Sequence, residues 1–137
     1  MKIDKPTVKA AADSLVYFCH GQARENGWWT ELVTGRDMTS KGYPKINPSK
    51  NVGELLCLVH SEVSEAMEGH RKGLMDDHLP ARPMLEVELA DAVIRIFDMA
   101  GGLGLDLAGA IGDKLEYNGQ RADHKLVNRR AEGGKRF

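Results

Sequence analysis

The chain has little of what most small-site architectures require. Only two cysteines occur in 137 residues, Cys19 and Cys57, and they form no C-x-x-C pair. Each sits in an apolar helical stretch, so buried reduced thiols in a cytosolic protein are expected rather than a disulfide framework. No run of eighteen apolar residues is present, which leaves nothing to span a bilayer. The first residues lack the basic and apolar regions of a signal peptide, and a cytoplasmic location follows as the expectation. The net charge is −1, so no global field argues for nucleic acid. There is no Walker A loop. Gly101-Gly102-Leu103-Gly104 does not meet the dinucleotide fingerprint. The five histidines form no H-E-x-x-H, and zinc-type His and Cys ligands do not cluster. Internal repeats, low-complexity segments and useful β alternation are also missing.

What is present is helical periodicity. Hydrophobic residues make up 42% and charged residues 28%, a globular balance for one domain over residues 1–137. Val8, Ala11, Ala12, Leu15, Phe18 and Cys19 recur at helical spacing, which predicts a first helix from about Pro6 to Glu25, stopped by Asn26-Gly27. Residues 27–50 read as a long irregular loop with Gly27, Gly35, Gly42, Pro44 and Pro48, and length of that kind points to function. Asn51 and Glu54 resemble a capping box for a second helix ending near Gly69 or Gly73. A third helix is expected from Pro83 to Ala100, closed by Gly101-Gly102. A fourth, capped by Asp106, should reach about Arg121. Lys125, Arg129, Arg130, Lys135 and Arg136 make residues 122–137 a basic tail, which fits either a solvated end or a binding role. The fold class is therefore all-α, a four-helix bundle-like core. Its modest size makes a homo-oligomer, dimer or tetramer, a reasonable expectation.

Four acidic side chains stand out by place rather than by spacing. Twenty acidic residues predict about three i,i+3 pairs by chance; the chain has four, at 62/65, 65/68, 88/91 and 113/116. The second helix is more telling. At about 100° per residue, Glu62 falls inside the apolar arc formed by Leu55, Leu56, Val59, Val63, Ala66 and Met67. Glu65 lies at the arc's edge, and Glu68 faces away. A carboxylate inside a core-facing arc is costly unless it is paired or metal-bound. On the third helix Glu88, Asp91 and Arg95 share one strip, with Asp98 near it. That strip fits either a solvent stripe or the wall of a metal cleft. Two such pairs on facing helices would gather four hard oxygen ligands, a set that suits Mg²⁺.

A second constellation suits phosphate. Lys114, Asn118 and Arg121 follow i, i+4, i+7 spacing and share a face of the fourth helix. An ordinary salt-bridging face fits the same spacing. Trp28 and Trp29 fit either stacking on a base or anchoring the core. Arg71 and Lys72 fit either a solvated helix end or a reach towards phosphate.

The order Ser61-Glu62-Val63-Ser64-Glu65-Ala66, Glu88-Leu89-Ala90-Asp91, Lys114-x-x-x-Asn118-x-x-Arg121 resembles the all-α nucleoside triphosphate pyrophosphohydrolases of the MazG type. That superfamily also holds the dimeric dUTPases and phosphoribosyl-ATP pyrophosphohydrolase. An E-x-x-E pair followed at moderate distance by E-x-x-D is its signature, and 22 residues separate Glu65 from Glu88 here. The match spans residues 51–121, and Gly133-Gly134-Lys135-Arg136-Phe137 is similar to the ending of small members. Where many relatives carry a further acid, this chain has His60 and Ser61. The resemblance implies Mg²⁺, with Mn²⁺ as an alternative, held by Glu62, Glu65, Glu88 and Asp91. Water activated there would attack the α-phosphorus of a (deoxy)nucleoside triphosphate, with Glu62 or Glu65 taking its proton, to give monophosphate and pyrophosphate. Lys114, Asn118 and Arg121 would neutralise and position the phosphates. Nucleotide-pool cleaning is the implied service, and a homodimer or homotetramer the implied assembly. The alternative is a non-catalytic helical module that binds nucleotide or protein.

Overall fold

The computed structural model describes residues 3–40 and 50–136. Its regular structure is α-helical: α1 (Lys5–Glu25), α2 (Val52–Lys72), α3 (Met84–Leu103), α4 (Leu107–Gln120) and α5 (Leu126–Arg130), with a 3-10 turn at Ala122–His124. Two isolated bridges, Thr30 with Asp37 and Met75 with Pro83, are the extended pairings among the described residues. The all-α expectation holds. No helix among the described residues is long and apolar enough to cross a membrane. The chain forms two compact units, residues 15–105 and residues 1–14 with 106–137.

In the unit of residues 15–105, helix ends follow local chemistry. Gly27, at φ 81°, ends α1, with Gly27 N–H on Arg24 O and Trp28 N–H on Ala23 O. That double bond pattern satisfies carbonyls the last turn leaves open. Asn51 caps α2 through Oδ1 to the Gly53 N–H, while its Nδ2 donates to Glu54 Oε1. The Asn51/Glu54 pair thus caps one backbone donor and joins side chain to side chain, rather than making the reciprocal box. Gly73, left-handed at φ 64°, closes α2. Gly69 is instead a helical contact point: a Cβ there would lie 2.9 Å from Met84 Cβ.

Gly101 and Gly102 do not end the third helix as the sequence suggests. α3 runs through them to Leu103 and closes at Gly104, φ 67°. A Cβ on Gly102 would stand 2.1 Å from the Trp29 ring, and one on Gly101 2.5 Å from His20. These glycines admit neighbouring side chains against the helix. α2 and α3 pack as an antiparallel hairpin. Trp29, Ala66, Ala92, Phe97, Ala100 and Leu103 are its unit's buried apolar residues. Residues 27–40, expected to be irregular, are held by hydrogen bonds. Glu31 accepts from Val33 and Thr34 N–H, and Met38 N–H donates to Trp29 O. Gly42, Pro44 and Pro48 lie outside the described residues.

In the other unit, Ala12 and Ala108 are buried, and Asp106 caps α4 by accepting from Gly109 N–H at 2.9 Å. Lys5 on α1 bridges Asp113 and Glu116 on α4 at 2.9 and 2.6 Å. The expected basic tail is folded back on itself. Asn128 Nδ2 donates to Ala122 O at 2.7 Å, and the Arg129 guanidinium donates to the carbonyls of Lys135 and Arg136. Arg129 reaches main-chain oxygens there because the chain turns after α5, where Gly134 N–H donates to Ala131 O and Gly133 stands at φ 73°.

Candidate metal centre

Glu62 lies on the arc of α2 that faces α3, one turn before Ala66, and is 6% exposed. Glu88 occupies the matching place on α3, one turn before Ala92, and is 7% exposed. Oxygens of Glu62, Glu65 and Glu88 all lie within 4.8 Å of one another. Glu65 is the exposed member. Two ionised carboxylates at that separation repel by about 3 kcal/mol at an effective dielectric of about 20. Burial, then the charge of Glu65, then a shared hydrogen bond with Glu62, pushes the Glu88 carboxyl above its ordinary range. Among the described residues one positive group answers this concentration of charge: Arg95 Nε donates to Glu62 Oε1 at 2.6 Å across the hairpin. Three carboxylate donors from two helices, gathered in a partly desolvated place, could hold a metal ion.

The hairpin therefore gathers three of the four acids singled out in the sequence. Asp91, one turn beyond Glu88, is exposed and stands outside the three-oxygen group. It adds to the repulsion felt by Glu88 and lines a cavity of about 340 Å³ together with Arg95. Gln22, Asn26, Trp28 and Lys50 also line that cavity. Glu68, on the far side of α2, pairs with Lys72 and Arg71. Lys72 is thus engaged at its own helix end rather than with the carboxylate group.

The two tryptophans part company. Trp28 is 68% exposed and on the cavity wall, open to stacking. Trp29 is 1% exposed, and its Nε1–H donates to Asp98 Oδ1 at 2.7 Å. A ring so enclosed acts as an anchor, which removes Trp29 from the stacking role offered by the sequence. Asp98 Oδ1 also meets His20 Nδ1 at 2.9 Å, and Lys50 Nζ lies 4.7 Å from the Trp29 ring centroid. Asp98 was visible on the strip of Glu88, Asp91 and Arg95, but its partners come from α1 and the turn after it. Neither cysteine is fully buried, contrary to expectation. Cys19 is half-buried on the cavity wall, with its thiol pushed up by burial and then by Asp98; Cys57 is exposed.

The phosphate candidates belong to the other unit. Lys114 Nζ and the Arg121 guanidinium both lie over the Tyr117 ring, 4.9 and 5.9 Å from its centroid. Arg121 also makes two bonds to Asp123, at 2.9 and 2.5 Å. Asn118 Oδ1 is buried without a hydrogen-bond partner among the described residues. The three share a neighbourhood on α4, as their spacing predicts, with Arg121 already neutralised by Asp123.

No protein-family model, curated protein or solved structure matches this chain.

Proposed function

We propose that the Glu62–Glu65–Glu88 group, with Asp91 beside it, is a Mg²⁺ or Mn²⁺ site of a nucleoside triphosphate pyrophosphohydrolase of the MazG type. One observation carries the reading: two buried carboxylates and a third converge within 4.8 Å from facing helices. Such burial is expensive without a cation, by several kcal/mol per unpaired charge. When bound, the metal supplies Lewis-acid stabilisation of a phosphoryl group. Glu65, the solvent-facing carboxylate, would take a proton from attacking water. The cavity beside Asp91, with Trp28 as an exposed aromatic face, has the volume and lining for a nucleobase. The resemblance, rather than any placement beside the carboxylates, is what assigns Lys114, Asn118 and Arg121 to the phosphates in this reading.

A second copy of the chain completes the proposal. Leu56, Val63 and Met67 form an exposed stripe on α2, and Leu89 and Val93 one on α3, each between 44 and 59% exposed. An apolar face of this kind marks an interface. Val63→Glu with Val93→Glu should yield a monomer by light scattering; an unaltered mass would remove this face from the assembly. The free cysteines suit a reducing compartment such as the cytoplasm.

The decisive experiment follows monophosphate and pyrophosphate from a panel of canonical and modified triphosphates. Mg²⁺-dependent pyrophosphate release, lost in Glu62→Gln with the helical content intact, is expected. Release of orthophosphate would overturn attack at the α-phosphorus. No turnover with any triphosphate would favour a non-catalytic binding module.

A further inference from the structure

We infer that Arg95 is the resident counter-cation of the carboxylate group, and that it exchanges Glu62 for a substrate phosphate oxygen when a divalent cation enters. The inference rests on the metal-site reading above. It starts from an asymmetry in the ion pair. Glu62 is 6% exposed and hemmed by two further carboxylates, so an unanswered charge there is costly. Arg95 answers it through Nε at 2.6 Å, yet 43% of its side chain remains exposed. A structural guanidinium–carboxylate pair usually uses both fork nitrogens. Here Nη1 and Nη2 donate no hydrogen bond among the described residues. The attachment is a single contact made by a side chain that solvent can reach.

Position supplies the second half. Arg95 is one turn beyond Asp91 and two turns beyond Glu88 on the same strip of α3. It lines the cavity that also holds Asp91, Lys50 and Trp28. The guanidinium thus stands on the boundary between the carboxylates and the space beside them. A divalent cation on Glu62 repels it from the carboxylates. Its planar fork then suits the nearest anion in the cavity, and a phosphate offers two oxygens to it. Arg95 is accordingly a positioning group in the metal-free protein and a phosphate contact in the loaded one.

The test separates the roles without using turnover. Mn²⁺ binding to nucleotide-free protein is measured by calorimetry for wild type, Arg95→Met and Arg95→Lys, with melting curves to verify folding. Loss of a competing cation should make Arg95→Met bind Mn²⁺ about three- to tenfold more tightly. Pyrophosphate binding in the presence of Mn²⁺ should weaken about tenfold in Arg95→Met. Arg95→Lys, a charge without a fork, should keep the wild-type Mn²⁺ affinity but lose part of the pyrophosphate affinity. It serves alone should Arg95→Met not fold. Wild-type protein that binds Mn²⁺, with variants whose metal and pyrophosphate affinities are unchanged or both weaker, overturns the exchange role and spares the metal site. Wild-type protein that binds no Mn²⁺ overturns both.

Discussion

Asp113 and Glu116 on α4 share the ammonium of Lys5, and Asp123 takes two bonds from Arg121. All of these pairs are at the surface, and each charge meets its opposite there. On the α2–α3 hairpin, Glu62, Glu65 and Glu88 crowd within 4.8 Å, and the cation bound among them is the Arg95 guanidinium on Glu62. Both regions carry i,i+3 acidic pairs, and their sequences look alike. The difference is desolvation. An exposed pair is screened and contributes little, whereas buried carboxylates that outnumber their cations call for another positive charge.

The comparison can be broken most sharply by activity. Glu88→Gln should lower Mg²⁺-dependent pyrophosphate release on the order of 100-fold or more. Asp113→Asn, an equally acidic change on α4, should leave it unaltered. Equal losses from both would show that burial does not distinguish the two regions.

Next in size is a packing test of the hairpin's own unit. A Cβ on Gly102 would stand 2.1 Å from the buried Trp29 ring. Overpacking of that kind costs about 3 kcal/mol, against about 1 kcal/mol gained in helix propensity, so Gly102→Ala should lose about 2 kcal/mol in urea unfolding. An unchanged midpoint would mean that Trp29 is not anchored where it is described.

A smaller effect concerns pH. The Glu88 carboxyl is raised in the fold above its ordinary 4.5, through burial first and the charge of Glu65 second. The unfolded chain therefore releases this proton at lower pH than the folded one. In metal-free protein the group is harmless below pH 4.5 and costs stability increasingly as pH rises towards the folded value. Glu88→Gln should thus melt at a higher temperature than wild type at neutral pH in chelator, with the gap closing below pH 4.5. A gap independent of pH would assign the effect to packing.

The smallest change is expected on α4. Arg121→Ala removes an exposed pair with Asp123, so its melting temperature should stay close to wild type. In the proposed enzyme it should raise KM for triphosphate while kcat falls less. A large fall in kcat alone would move Arg121 from positioning to chemistry.

Much of the hairpin was legible in the sequence. Glu62 broke an apolar arc and Glu68 did not, which is why one is buried and the other binds Lys72 at the surface. Gly101-Gly102 misled, because a glycine pair marks a helix end or a close approach equally well. The basic ending was legible in part: its five cations are exposed, as a solvated tail requires, but Arg129 also bonds main-chain carbonyls, a use that composition does not reveal.

Periodicity by itself determined that the chain is helical, and that Glu62 lies on an inward-facing position of the second helix. Both follow from the fixed turn of the helix, which places side chains by spacing alone. Tertiary structure decided which inward carboxylates meet, that Asp91 stands apart from them, that Trp29 is an anchor while Trp28 is open, and that Arg95 reaches Glu62. Those facts depend on the register of α2 against α3 and on which side chains fill the space beside Gly102, and helical spacing carries no information about either.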